Sequence, residues 1–155
     1  MLDLAREQGL SIAAAESCTG GLVAARLTSV PGSSESFAGG IVAYDNRLKR
    51  DLLGVSDEIL SRHGAVSAET AAAMAQGIRG AVGADVGVSV TGVAGPGGGT
   101  AEKPVGLVFI GIATPDSRAV RKFRFAGTRK TIRERATQTA LDLMHPDVAW
   151  PNGME

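Results

Sequence analysis

Ala15-Glu16-Ser17-Cys18-Thr19-Gly20-Gly21 follows a short apolar run, Ser11 to Ala15, and leads into a helical pattern carried by Leu22, Val23 and Leu27. The run predicts a buried strand over residues 12–15, and the pattern predicts a helix over residues 22–30, closed before Pro31-Gly32. Ser17 thereby stands where a strand ends and a helix begins. Backbone N–H groups at a helix start are unpaired, and the macrodipole there favours negative charge. Two roles follow. Ser17 or Thr19 is an N-cap that satisfies one of those N–H groups; or Ser17 is a nucleophile with a partial oxyanion hole supplied by the backbone. Cys18 allows a third reading, because a thiol at a helix start has a lowered pKa, although a small buried core residue is the commoner fate of a lone cysteine.

Working outward, residues 1–8 predict a helix stopped by Gly9. Residues 37–44 predict a strand, with Gly39-Gly40 as a bulge or close approach. Helices are expected over residues 46–53, from an Asx cap to Gly54, and over residues 56–63, ended by Gly64. The clearest helix covers residues 67–82, capped by Ser67 and presenting Ala71, Met74, Ala75, Ile78 and Val82 on one face. A strand over 86–90 precedes a glycine-rich loop, residues 92–99. Residues 105–113 read as a strand buried on both faces, and residues 119–125 as a half-exposed one. The last helix covers 128–144 with Ile132, Ala136, Ala140 and Leu143 inward, and residues 145–155 read as a tail. Strands and helices alternate in the first half and adjacent strands come near the end. That order predicts one α/β sandwich domain with a mixed sheet between helix layers.

A chain of 155 residues, 44% hydrophobic with 21 glycines and few aromatics, suits one core packed closely through small side chains. Sixteen basic and sixteen acidic side chains cancel, which argues against nucleic-acid binding through bulk charge. Cys18 is the single cysteine, so no internal disulfide framework exists and a reducing compartment fits. There is no signal peptide and no apolar run approaching the ~20 residues that cross a bilayer, so a cytoplasmic protein is expected. His63 and His145 have no partner at metal-ligand spacing.

Three further segments carry candidate chemistry. Thr91-Gly92-Val93-Ala94-Gly95-Pro96-Gly97-Gly98-Gly99 lets backbone N–H groups approach a phosphate or carboxamide, or is simply a surface loop. It has neither the Gly-Lys-Ser/Thr of a Walker loop nor a dinucleotide-binding glycine triad. Tyr44 and Lys49 fall at a strand end and in the helix that follows, where both can face one cleft. A lysine serves as a base only when neutral; at pH 7 about one in several thousand ordinary lysines is, and lowering the pKa to ~8 costs roughly 3 kcal/mol. Arg129, Lys130 and Arg133 crowd the start of the last helix against its dipole, an arrangement that makes sense if Arg129 grips an anion there.

These segments together resemble the CinA C-terminal domain family, the PncC-type nicotinamide-nucleotide amidases. The match is carried by Ala15 to Gly21, Pro31-Gly32-Ser33-Ser34, Val42-Ala43-Tyr44-Asp45-Asn46 with Lys49, and His63-Gly64-Ala65-Val66-Ser67. It continues through Thr91 to Pro96, Lys103-Pro104-Val105-Gly106 and Gly127-Thr128-Arg129. Thr91 stands where some members carry serine, and the separate N-terminal domain that many members carry is not expected within these 155 residues. The resemblance implies a three-layer α/β/α sandwich and deamidation of nicotinamide mononucleotide to nicotinate mononucleotide and ammonia, without metal or cofactor. It implies Ser17 as nucleophile, Lys49 as general base and Tyr44 as an orienting or proton-relaying group. It implies substrate binding by Thr19, Gly20, Gly21, Ser33, Asn46, Gly92, Gly95 and Arg129, the N–H groups around residues 19–21 holding the oxyanion. A pyridine nucleotide is then the small-molecule partner, and a homodimer is compatible with the composition. The rival expectation is a non-catalytic nucleotide-binding regulatory module of the same family.

Overall fold

The computed structural model describes residues 1–145. Ten of the eleven residues expected as a tail, residues 146–155, lie outside the described part. Five strands form one mixed sheet: β1 (Ile12–Glu16), β2 (Phe37–Val42), β3 (Val86–Gly92), β4 (Leu107–Ala113) and β5 (Arg118–Arg124). Their order is β2-β1-β3-β4-β5; β1 pairs parallel with β2 and β3, and β4 pairs antiparallel with both β3 and β5, so β4 alone runs the opposite way. Helices α1 (Leu2–Glu7), α2 (Leu22–Thr28) and α6 (Arg129–Leu143) pack with one face. Helices α3 (Asn46–Leu53), α4 (Asp57–His63) and α5 (Ala68–Val82) pack with the other. The expected α/β/α sandwich is what forms.

The central strand explains the alanine-rich opening. All five residues of β1 are buried, because helices cover both of its faces. Ala14 joins Val23, Leu27, Val88 and Ile132 in one core, while Ala13 and Ala15 join Leu53, Met74 and Ile78 in the other. The expected irregularity at Gly39-Gly40 is present. The β1–β2 register slips between the Ile12↔Phe37 and Ala13↔Gly39 pairs, and a Cβ on Gly40 would stand 3.1 Å from the carbonyl of Ala14.

Local capping chemistry sets most boundaries. Asp45, Ser56, Ser67 and Thr128 each accept a backbone N–H at the start of α3, α4, α5 and α6, and Gly54, Gly64 and Gly83 follow three of the helices. Two boundaries differ from expectation in ways that matter for the site. β1 runs on to Glu16, and β3 runs on to Gly92, so Thr91 and Gly92 are ladder residues opposite Phe109 and Val108 rather than loop.

Candidate active site

Parallel strands place their following turns on one side of a sheet, and the crevice outside their carboxyl ends is the usual ligand position. Here Ser17 follows β1, Tyr44 follows β2, and Gly92 ends β3. These three residues, with Cys18, Lys49, Thr91 and Arg129, line a cavity of about 200 Å³ whose remaining wall is Ala65, Val66 and Ala94. Four larger clefts, of about 750, 570, 360 and 210 Å³, lie elsewhere among the described residues, and none of these brings a serine together with a lysine. Among the described residues no three His, Cys, Asp or Glu side chains gather as a metal site.

Lys49 is the least expected member. It is only 1% exposed, on the inward stripe of α3 with Leu53. Its ammonium nitrogen donates to the carbonyls of Ala43 at 2.9 Å and Tyr44 at 3.1 Å, with no carboxylate hydrogen-bonded to it among the described residues. Burial lowers its pKa from the ordinary lysine value, and the negative charge of Asp45 opposes this only in part. A neutral amine has two N–H bonds and one lone pair. With both hydrogens committed to the two carbonyls, the lone pair is the one position left.

The turn from Ser17 to Gly21 is held differently from either sequence reading. Neither Ser17 nor Thr19 caps α2. Gly21 is the N-cap, in a left-handed conformation with no side-chain cap bond. The cap comes from Glu16, whose buried carboxylate accepts the N–H groups of Gly21 (3.0 Å), Val23 (3.1 Å) and Ala24 (2.8 Å). The helix start expected to hold an anion is therefore already occupied by one from the chain. This corrects the expectation for Gly20 and Gly21: the Gly20 N–H donates to the Ser17 carbonyl, and that of Gly21 to Glu16. Thr19 is fully buried, its hydroxyl has no hydrogen-bond partner among the described residues, and it is not one of the residues that line the cavity. What remains are the backbone N–H groups of Cys18 and Thr19, which donate to no other residue among the described ones, that of Cys18 lying against its own thiol. The cavity-lining Ser17 hydroxyl likewise has no hydrogen-bond partner among the described residues.

Cys18 also lines the cavity, but burial pushes its thiol up to about 11, its own backbone N–H and then the nearby Arg133 guanidinium opposing this only in part. At neutral pH about one such thiol in ten thousand is a thiolate. The geometry therefore gives no support to Cys18 as the nucleophile; its side chain is a core element between α2 and α6.

Arg129 closes the mouth. It donates to the Gly95 carbonyl at 2.8 Å and to the Tyr44 hydroxyl at 3.0 Å, joining α6 to the glycine loop and to the end of β2. Gly95 thus meets the site through its carbonyl, not as a lining residue. Tyr44 is 59% exposed with its hydroxyl on Arg129, and the part of it that touches Lys49 is its carbonyl. Thr91 donates to the Ala65 carbonyl at 2.6 Å, and Lys103 donates to the carbonyl of His63. Both bonds tie the loop's two arms to the segment that forms the cavity wall.

Two expected binding residues lie elsewhere. Ser33 belongs to a 3-10 turn, Ser33–Glu35, that enters β2, and the Ser36 carbonyl accepts the N–H of Ile12 at the opposite end of the parallel strands. Asn46 is exposed in the first turn of α3, outside the cavity lining. Glu16 and Arg133, which do shape the turn, are absent from the expected set. Glu16 read as the end of the apolar run, and Arg133 as one more cation on α6.

Fold and cavity together define an α/β/α domain with a serine and a buried lysine at the carboxyl ends of its parallel strands. The chain belongs to the CinA C-terminal domain family, whose model matches residues 1–148. It is 53% identical over 137 residues to a CinA-like protein of Acidobacterium capsulatum, covering 88% of this chain and 33% of the relative. It is 51% identical over 144 residues to a CinA-like protein of Kosmotoga olearia, covering 93% of this chain and 35% of the relative. The chain thus spans about a third of the length of the curated relatives it matches. Among solved structures it resembles the competence/damage-inducible protein CihA from Agrobacterium tumefaciens, with a TM-score of 0.90 and 43% identity over 92% of this chain and 88% of that one. It also resembles the competence damage-inducible protein ComA of Klebsiella pneumoniae, with a TM-score of 0.89 and 32% identity at the same coverages.

Proposed function

We propose that this chain is a serine–lysine amidohydrolase that deamidates nicotinamide mononucleotide to nicotinate mononucleotide and ammonia. The observation that carries the reading is Lys49: a buried amine, its two hydrogens directed at carbonyls, lining the same cavity as an unpartnered serine hydroxyl. The substrate comes from the resemblance. A cavity of about 200 Å³ suits the aromatic amide head of such a molecule, leaving ribose and phosphate at the mouth. Arg129 keeps guanidinium N–H groups beyond its two bonds for the phosphate.

Neutral Lys49 accepts the Ser17 proton as Oγ bonds to the amide carbon. The carbonyl oxygen becomes an oxyanion, facing the free N–H groups of Cys18 and Thr19; one such donor is typically worth about 3 kcal/mol. Protonated Lys49 returns the proton to the leaving nitrogen, the C–N bond breaks, and ammonia departs from an acyl-Ser17 ester. Water, deprotonated by Lys49, then bonds to the acyl carbon; the Ser17 Oγ–C bond breaks, nicotinate mononucleotide leaves and Ser17 recovers its proton. In this scheme Tyr44 orients Arg129 and, through its carbonyl, Lys49.

Ammonia release from nicotinamide mononucleotide tests the reading. Ser17→Ala should abolish release and Lys49→Met should lower kcat about 10²–10⁴-fold. Near-wild-type turnover in either variant would sink the mechanism. Calorimetric binding without ammonia release from the unmodified protein would favour the binding-module alternative.

A further inference from the structure

Arg133 reaches from α6 to the turn that carries Ser17. Its Nε donates to the Cys18 carbonyl at 3.0 Å and its Nη2 to the Thr19 carbonyl at 2.9 Å. One planar guanidinium therefore grips two consecutive peptide carbonyls, 115 and 114 residues away in sequence. The site is built for it. Ile132, beside Arg133 in α6, is fully buried, and a Cβ on Gly20 would stand 3.2 Å from the same Nη2.

A trans peptide unit is planar, with its C=O and N–H pointing in opposite directions. Fixing a carbonyl therefore fixes the N–H of the next residue. The Ser17 carbonyl is held by the Gly20 N–H at 3.1 Å, which turns the Cys18 N–H the other way. The Cys18 carbonyl is held by Arg133, which turns the Thr19 N–H away from α6. Among the described residues these two N–H groups of the turn donate to no other residue, that of Cys18 lying against its own thiol. A cation on the Cys18 carbonyl also polarises that peptide and makes its N–H a stronger donor. Glu16 meanwhile takes the N–H groups further along, at Gly21, Val23 and Ala24.

We propose that Arg133 is a positioning residue: it aims and polarises the Thr19 N–H so that this group, with that of Cys18, receives the oxyanion formed when Ser17 attacks. Arg133 touches no substrate in this role. The inference rests on Ser17 being the nucleophile, and the test separates the two.

The test compares the unmodified protein, Arg133→Met and Arg133→Lys in two assays. The first is kcat and KM for nicotinamide mononucleotide. The second is the rate at which a fluorophosphonate labels Ser17, read by peptide mass spectrometry. There the Oγ–P bond forms, the P–F bond breaks, fluoride leaves and Lys49 takes the proton, so the assay needs the oxyanion donors but not the natural substrate. Arg133→Met should lower kcat and labelling about 10–100-fold with KM within about threefold, because a mis-aimed donor raises only the transition-state energy. Arg133→Lys, able to hold one carbonyl but not both, should fall between. A labelling rate for Arg133→Met within twofold of the unmodified protein, or a loss confined to KM, overturns the proposal. If Arg133→Met does not fold, a folded Arg133→Lys that labels at the unmodified rate overturns it equally. Labelling of Ser17 without ammonia release defeats the substrate reading alone, and the labelling comparison still decides Arg133. An unmodified protein that never labels at Ser17 overturns both.

Discussion

Lys49 is a cation placed where a cation is disfavoured, and that fixes the sign of two pH effects. Its folded pKa lies below the ordinary 10.5 because burial penalises the charged form. Above the lowered value the native state binds fewer protons than the unfolded chain, so stability rises with pH until the unfolded lysine also titrates at 10.5. Relative to Lys49→Met, which lacks this titration, the unmodified protein should gain stability as pH rises through that window, by at most about 1.4 kcal/mol per pH unit. Urea denaturation of both proteins between neutral pH and pH 10 measures it, and an unmodified protein that loses stability relative to Lys49→Met as pH rises would contradict the assignment. For catalysis the expected signature is kcat/KM rising with pH to a plateau, its midpoint below 10.5. Lys49 as a candidate was legible because its spacing from Tyr44 matches the family. Its burial was not, since nothing local says that the carbonyls of Ala43 and Tyr44 turn inward to meet it.

Among the elements, α2 depends most on a partner outside itself. Three N–H groups at its start end on the Glu16 carboxylate, which is 1% exposed. Glu16→Ala strands those donors in a region water scarcely reaches, so a loss of at least about 3 kcal/mol is expected, with hydrogen exchange accelerating at Gly21, Val23 and Ala24. Glu16→Gln, which keeps acceptor atoms but not the charge, should lose less. The contact between α5 and α3 is a second such case. A Cβ on Gly77 would stand 1.8 Å from the Leu53 carbonyl. Gly77→Ala gains about 1 kcal/mol of helix propensity, but the overlap forces α3 away from α5, for a net loss of about 2 kcal/mol. Because α3 carries Lys49, kcat should fall along with the denaturation midpoint. A stabilised and fully active Gly77→Ala would refute this packing.

At the scale of the molecule, the sheet separates two cores. Ile132 belongs to the core under α2 and α6, and Ile78 to the core under α3 and α5. Ile78→Val and Ile132→Val should each cost about 0.5–1.5 kcal/mol, and the double variant should equal their sum within about 0.5 kcal/mol. Chemical denaturation of the three variants measures this; a larger coupling would mean that the sheet transmits repacking. The site borrows from both layers. Lys49 comes from the α3 side, Arg129 and Arg133 from the α6 side, and Ser17 and Tyr44 from the strand ends between them.

Sequence by itself determined the elements, their order and the place of Ser17 at a strand-to-helix junction, because alternation, helical period and capping residues are contacts within a few positions. It also determined the family, through motifs that keep their order from Ala15 to Arg129. Tertiary structure alone decided which backbone N–H groups of the Ser17 turn stay free. Glu16 fills the helix start that the sequence pattern offered to an anion, and Arg133 holds two carbonyls from more than a hundred residues away. A hydrogen bond spanning that separation leaves no local periodicity, so only the packing of α6 beside α2 could reveal it.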